Sequence, residues 1–146
     1  MRCKYKSSFY KSTLQFMNTT SQTISSTTSQ LTLGSNVIGN TGVALNLNTD
    51  SISALYSGTY EITVKLTVNT TTTGNVIAQL YSNNVALPET MSITTLPTGY
   101  SEITLNTVRT LETSCSSPTN ISVHIKSDGT AVGDVVNISG NMVKLA

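Results

Sequence analysis

An unbroken two-residue alternation between residues 60 and 68 constrains the fold more than any other feature of this sequence. Side chains of a β-strand point alternately to opposite faces of the sheet, so alternating apolar and polar residues predict a strand with one buried face. The apolar positions, which we expect in the core, are Tyr60, Ile62, Val64, Leu66 and Val68. The polar positions, which we expect to face outward, are Glu61, Thr63, Lys65 and Thr67.

Shorter runs repeat this pattern along much of the chain. Two of them predict further buried positions at Ile121, Val123, Ile125, Val43, Leu45 and Leu47. Four more strands are predicted within residues 52–56, 76–81, 101–111 and 135–138, and each is bounded by Gly, Asn, Ser or Pro. No window has a helical period, and the abundance of Thr and Val favours strands over helices.

This spacing predicts an all-β fold of about eight to ten short antiparallel strands in a two-sheet jelly-roll sandwich. Residues 1–28 carry scattered apolar side chains among Ser and Thr. We expect them to form an extended arm and a first edge strand, because they are too sparsely apolar to build a core. The jelly-roll domain is expected over residues 29–146, so that deleting residues 1 to about 18 should leave it folded.

One predicted strand breaks the alternation. In a regular strand Ile103 and Leu105 would point to one face of the sheet and Val108 to the other. A bulge near Asn106 or Thr107 would bring all three side chains to the same face. Tight turns are predicted where short polar residues cluster, notably at Asn83-Asn84 and Asp128-Gly129.

Length and composition exclude several classes of protein. A chain of 146 residues is long enough for one domain with its own core, without a metal or disulfide scaffold. Only 10% of the residues are charged, whereas Ser, Thr and Asn together contribute 59 of 146. Such a surface suits a protein held among neighbours in an assembly. The net charge of +1 argues against a nucleic-acid binder, which needs a basic excess.

Half of the eight basic residues lie within the first eleven positions, and no acidic residue precedes Asp50. Three aromatic residues lie among them. Because charge combined with aromatic side chains is typical of interfaces, we expect this basic arm to grip an acidic partner surface. A solvated tail is the alternative. The partner-binding residues would be Arg2, Lys4, Tyr5, Lys6, Phe9, Tyr10 and Lys11.

The sequence gives no indication of export or of membrane insertion. No apolar run of seven or more residues follows Lys11, as a secretory signal would require. No stretch approaches 18 apolar residues, and we expect folding in a cytoplasm without a membrane partner. Cys3 and Cys115 form no disulfide framework; two unreactive thiols are expected, with a bridge between them as the alternative.

Catalytic chemistry is poorly represented. His124 is the only histidine, and its parity places it with Ser122 and Lys126 on a polar strand face, where a surface or subunit-contact role is expected. Of seven dispersed acids, only Asp128 and Asp134 could approach each other and hold a cation, and a turn at Asp128 is the favoured explanation. Without a phosphate loop, CxxC or GxSxG motif, we expect no catalytic site, no metal and no cofactor.

Carbohydrate recognition on a β-sandwich usually relies on exposed aromatic platforms. The chain has no Trp, and Tyr81 and Tyr100 are the candidates because they flank predicted loops. The alternative is that these tyrosines only cap strand ends. Four glycosylation sequons match the number expected by chance and are not evidence of glycosylation; they begin at Asn18, Asn69, Asn120 and Asn137.

Residues 50–146, about two-thirds of the chain, carry three motifs: SGTYEITV at 57–64, VIAQLYSNNVALP at 76–88 and VKLA at 143–146. Together they resemble the trimeric tumour necrosis factor-like jelly roll, in the compact version found at the tip of bacterial spore-surface glycoproteins and in phage structural proteins. The resemblance implies a homotrimer. It also implies that the last strand, with Val143 and Leu145, lies at the trimer interface.

The sequence lacks the Gly-X-Y stalk of the spore-surface relatives and has the basic arm instead. We therefore expect a non-enzymatic virion structural protein, a trimeric phage capsid decoration or cement protein of the head-fibre type. It would assemble in the host cytoplasm and attach to the capsid shell through its arm. The alternative is a receptor- or glycan-binding tip of a fibre or cell-surface appendage. A secreted signalling trimer is disfavoured by the missing signal.

Overall fold

A computed structural model describes residues 11–113 and 117–146, and in this part of the chain every regular element except one short 3₁₀ turn is a β-strand. The 3₁₀ turn covers Pro88–Thr90. The strands are β1 (Thr13–Asn18), β2 (Gln22–Thr23), β3 (Ser29–Gln30), β4 (Val37–Thr41), β5 (Leu45–Leu47), β6 (Ile52–Ala54), β7 (Gly58–Thr72), β8 (Gly74–Ser82), β9 (Val85–Ala86), β10 (Ser92–Leu96), β11 (Gly99–Leu111), β12 (Thr119–Ser127) and β13 (Val132–Lys144).

The strands form two antiparallel sheets. Sheet A has the order β11-β7-β13-β1-β4, and β2 pairs with β13. Sheet B has the order β10-β8-β12-β6-β5, and β3 and β9 pair with β12 and β8. Many neighbouring strands are distant in sequence, and the chain passes repeatedly from one sheet to the other. The predicted two-sheet jelly-roll sandwich is therefore confirmed.

The core lies between the facing sides of the two sheets. The five apolar positions predicted on β7 are all buried there, as are Ile121, Val123 and Ile125 on β12. Tyr60 at the start of β7 is fully buried, and its hydroxyl donates a hydrogen bond to the carbonyl of Tyr56 at 2.6 Å. Burial raises the pKa of the Tyr60 hydroxyl to about 12, so this donor stays protonated.

The first strand differs from the expected edge segment. β1 lies inside sheet A, where it pairs with β13 on one side and β4 on the other. Leu14 and Phe16 on β1 are fully buried members of the core, and Ile24 also belongs to it. Placing the jelly roll only at residues 29–146 was therefore wrong for residues 13–18. Two alternating apolar side chains are enough for a strand when both of its edges are paired.

Two further details correct the predictions from alternation. The β11–β7 pairing runs without a bulge, so Val108 faces outward at 55% exposure and the buried Thr107 takes the inward position. A small side chain fits there without a shift of register. In the β13–β7 pairing the register shifts instead, between Val132 and Gly133 and between Val135 and Asn137. Val43 was also expected to be buried; it is exposed, because the strand begins only at Leu45.

Both predicted turns are present. Asn83 and Asn84 have φ values of 49° and 63°, the left-handed pair that suits a two-residue hairpin, and they join β8 to β9. The turn after β12 is held by Asp128, whose Oδ1 accepts hydrogen bonds from the N–H and the hydroxyl of Thr130 at 2.9 and 2.6 Å. Within residues 11–113 and 117–146, no helix has the length and apolar character needed to cross a membrane.

Candidate interaction surfaces

The predicted basic arm falls largely outside the described residues. Arg2, Lys4, Tyr5, Lys6, Phe9 and Tyr10 lie there, as do both cysteines, Cys3 and Cys115. Lys11 is described and exposed. The next residue, Ser12, is buried; its carbonyl accepts the Lys144 N–H at 2.8 Å and its hydroxyl accepts the Ala44 N–H at 3.1 Å. The arm therefore enters the fold beside the end of β13.

Val143 and Leu145, the residues predicted at a trimer interface, point away from the core on sheet A. Val143 lies between Glu61 on β7 and Thr13 on β1, and Glu61 in turn faces Val108 on β11. Leu145 follows β13 and donates its N–H to the carbonyl of Thr59 at 2.7 Å. Its side chain is 47% exposed. Sheet A thus has an outer face, and the closing strand places apolar side chains on it.

Neutral polar residues dominate the centre of this outer face. One row across the strands consists of Asn106, Thr63, Asn141 and Gln15. The next row consists of Thr104, Lys65, Ser139 and Met17. Asn106 donates a hydrogen bond to the hydroxyl of Thr63 at 2.6 Å, which fixes these side chains against each other. Lys65 is the one charged side chain in these two rows, so a contact over them would desolvate little charge.

Two asparagines on the outer face of sheet A are incompletely hydrogen-bonded. The Oδ1 atoms of Asn137 and Asn141 are buried, and neither has a hydrogen-bond partner among the described residues. An unsatisfied buried acceptor costs about 1–3 kcal/mol. Asn141 also lines an open concavity of about 230 Å³ with Gln15, Ile38 and Lys65. The face therefore offers an open depression to a contacting chain, whereas the two unpaired acceptors lie beneath the surface.

Sheet B has a different outer surface, centred on two stacked rings. Tyr81 on β8 and His124 on β12 lie with ring centroids 3.8 Å apart and planes 20° apart. His124 Nε2 lies 3.1 Å from the hydroxyl of the buried Ser122. Partial burial lowers the pKa of His124 below its usual value, because the charged imidazolium is desolvated. The histidine is thus held in a surface cluster, as its parity indicated.

The other candidate residues are not brought together with this pair. Tyr100 is exposed, but it lies on β11 in sheet A, whereas Tyr81 lies in sheet B. Asp134 pairs with Thr23 on β2. The Asp128 carboxylate is used within its turn, where the hydrogen bonds from Thr130 do most to lower its pKa to about 2. Among the described residues, no group of three or more His, Cys, Asp or Glu could hold a metal ion.

Sequence reasoning missed Asn137, Asn141 and Met91 as surface features. The alternation of β13 could have identified the two asparagines, because each precedes a buried residue, Ile138 or Met142, and therefore points outward. Met91 gave no signal. It precedes β10 and lines a hollow with Tyr81 and His124 only because β8, β10 and β12 are neighbours in sheet B.

No protein-family model matches the sequence, and no curated protein matches it. Among solved structures, the vertex protein P5 of PRD1 is similar, with 19% identity, a TM-score of 0.61 and coverage of 92% of this chain and 97% of that chain. Murine APRIL gives 16% identity, a TM-score of 0.64 and coverage of 93% and 100%. Pika GITRL gives 17% identity, a TM-score of 0.55 and coverage of 93% and 96%.

At these identities the likeness concerns the fold. Because APRIL and GITRL belong to the tumour necrosis factor family, the fold of this chain is a tumour necrosis factor-like jelly roll, as the sequence motifs indicated.

Proposed function

We propose that this chain is a non-enzymatic virion structural protein: a homotrimeric decoration or cement protein of a phage capsid, of the head-fibre type. It assembles in the host cytoplasm and attaches to the shell through its basic arm. The outer face of sheet A is the observation on which the proposal chiefly depends. The likeness of the fold to a phage vertex protein supports the virion setting. No cofactor, metal, nucleic acid or membrane is needed for this role.

Self-association through the outer face of sheet A follows from its chemistry. The exposed side chains of Val108 and Leu145 and the half-buried side chain of Val143 lose contact with water when a second copy covers them. A closed ring of three copies gives each copy the same contacts without leaving an open end.

The arm has a suitable position for an anchor. It joins the fold at Ser12, next to Lys144 at the end of β13, so it leaves each subunit beside the proposed trimer contact. Three arms would therefore emerge near one another. Their combined basic residues, including Lys11, would bind an acidic shell more strongly than one arm could, because linked sites raise the effective concentration.

Light scattering of the purified chain tests the trimer. We expect a mass about three times 15.5 kDa at micromolar concentration. Val143→Lys should shift the protein toward a folded monomer, because an ammonium group would be buried in the contact. Val85 is a matched control, since it is 66% exposed on the hairpin of sheet B, and Val85→Lys should remain trimeric. A monomeric wild-type protein would refute the trimer.

Reconstitution on particles tests the anchor. The gene is disrupted in the phage genome that carries it, and purified protein is added back to the resulting particles. Wild-type protein should bind, and binding should weaken as salt screens the basic arm. Protein lacking residues 1–10 should stay trimeric but fail to bind. If the truncated trimer binds as well as the wild type does, the arm is not the anchor; if particles never contain the protein, the virion role is wrong.

A receptor- or glycan-binding tip is the second candidate function. The observation that favours it is the stacked pair of Tyr81 and His124, which lines a hollow on the outer face of sheet B. This surface lies on the opposite side of the sandwich from the proposed trimer contact. It would therefore remain accessible in the trimer.

A further inference from the structure

The hollow on the outer face of sheet B has the size of a small binding site. It encloses about 140 Å³ and is lined in part by Ile77, Tyr81, Met91, His124 and Lys126. Sites for drug-sized ligands typically measure about 300–1,000 Å³. The hollow can therefore hold one ring-sized group, such as the terminal unit of a longer chain.

One wall of the hollow is an aromatic ring that is already held in place. Tyr81 stacks on His124 with centroids 3.8 Å apart, and His124 lies within hydrogen-bonding distance of Ser122. Ser122 is itself buried. Because these contacts restrict the ring before any ligand arrives, binding against it costs little conformational entropy.

Part of the lining is apolar. Ile77 and the exposed Met91 line the hollow, and Ile77 pairs with the exposed Ile93 on the neighbouring strand β10. Methionine adapts its shape to what it contacts. An occupant with C–H groups on its surface could therefore pack against Ile77, Met91 and the Tyr81 ring and remove them from water.

The hollow carries positive charge and no negative charge. Lys126 lines it, and none of its lining residues is acidic. Among the described residues, the recorded ion pair joins Arg109 and Glu89, and none is recorded for Lys126. Asp128 lies two residues further along, but its carboxylate accepts hydrogen bonds from Thr130 and Asn75 within the turn. A carboxylate in the hollow would find an unpaired ammonium group.

The surroundings of the hollow favour a sugar over a peptide. Hydroxyl and amide side chains adjoin it, with Thr28 in the lining and Gln30 opposite His124 in the β3–β12 pairing. Such groups suit the hydroxyls of a sugar. A peptide that binds by strand addition needs a free sheet edge, whereas the stacked rings lie on β8 and β12, which are paired on both sides.

We propose that this hollow binds one carboxylate-bearing sugar residue at the end of a glycan, with the sugar ring against Tyr81 and the carboxylate at Lys126. The proposal rests on the second candidate function and specifies its ligand class. It requires neither a capsid partner nor the basic arm, so the reconstitution experiment and this one can fail separately.

Saturation-transfer difference NMR with the full chain tests the proposal. The probes are N-acetylneuraminic acid and glucuronic acid, which represent two sources of carboxylate-bearing sugar, with glucose as the neutral comparison. We expect at least one acid to bind at least tenfold more tightly than glucose. Lys126→Gln should abolish that preference, whereas Lys65→Gln, which changes an exposed lysine on the other sheet, should keep it. Tyr81→Ala should lose binding of every sugar.

Three outcomes would overturn the proposal, and a fourth would overturn the role of Tyr81 in it. One is equal binding of glucose and the acids, which would leave a glycan site without acid specificity. Another is a preference that survives Lys126→Gln. The third is displacement of the acid sugar by an acidic peptide at equal or lower concentration, which would identify a peptide site. If Tyr81→Ala unfolds, Tyr81→Leu replaces it, and binding by that variant equal to wild type would also refute the stacking role.

Discussion

Gly140 on β13 lies directly opposite Phe16 on β1, and a Cβ atom at position 140 would stand 2.7 Å from Cε1 of the phenyl ring. The carbonyl oxygen of Thr63, on the neighbouring strand β7, would be only 2.9 Å away. The ring of Phe16 therefore occupies space that exists only because residue 140 has no side chain. The contact joins the first and last strands of the fold.

Gly140→Ala should lower the free energy of unfolding by about 1–3 kcal/mol, because the added methyl group overpacks the site. Gly39→Ala is a matched control, since its Cβ would meet only Gln15 Oε1, at an ordinary 3.5 Å. The control should change stability by less than about 0.5 kcal/mol. Urea unfolding at one fixed protein concentration measures both, and equal midpoints for the two variants would contradict the packing described.

Truncation should distinguish the arm from the first strand. Removing residues 1–10 should leave the melting temperature nearly unchanged, because the core residues of the described chain begin at Leu14. Removing residues 1–18 should prevent folding, since it deletes β1 and leaves β4 without a partner in sheet A. This replaces the expectation that the longer deletion is harmless. Circular dichroism and solubility report the result; a folded protein lacking residues 1–18 would show that β1 is dispensable.

Val64→Asp tests the assignment of strand faces. Val64 is buried between the sheets, so an unpaired carboxylate there should cost several kcal/mol, a large share of the stability of a typical domain. Thr104 is exposed and lies opposite Lys65 on the outer face, which makes Thr104→Asp the matched control. The control should fold normally. Soluble, cooperatively folded Val64→Asp protein would mean that the faces are reversed.

Asp128 should contribute to stability against acid. Hydrogen bonds from Thr130 lower the pKa of Asp128 from 3.8 to about 2 in the folded chain. The folded state thus binds fewer protons than the unfolded state in this window, so the contribution is present above pH 3.8 and lost as the pH falls toward 2. Asp128→Asn should remove the loss of unfolding free energy between pH 3.8 and about 2, because it removes the titrating group. Thr130→Val should make that loss smaller, because it removes one of the hydrogen bonds that lower the pKa. Identical acid unfolding of the three proteins would exclude the role.

His124 should titrate below the ordinary value of 6.5, because burial disfavours its charged form. A lowered pKa means that stability is lost as the pH falls below 6.5 toward the folded value. Since the chain has one histidine, its ring resonances can be followed by NMR without assignment. Replacing the stacked ring by Tyr81→Ser should expose His124 and move its pKa back toward 6.5. A wild-type pKa above 6.5 would contradict the burial of the ring.

Local alternation determined the class of the fold and much of its core. The positions predicted on β7 and β12 are buried because the two-residue period is a direct property of an extended backbone, whatever lies next to it. The Asn83-Asn84 and Asp128-Gly129 turns were predictable for the same reason. Their residues act on their own backbone and its nearest neighbours.

Only the tertiary structure decided which strands are neighbours, and the surfaces depend on that. β1 carries just two buried apolar side chains, and pairing on both edges made it internal. Thr107 is buried and Val108 exposed because a continuous register with β7 outweighs the burial of one valine. The hollow at Tyr81 combines residues of β8 and β12 with Met91 beside β10. Such juxtapositions come from pairings between strands distant in sequence, which no local period encodes.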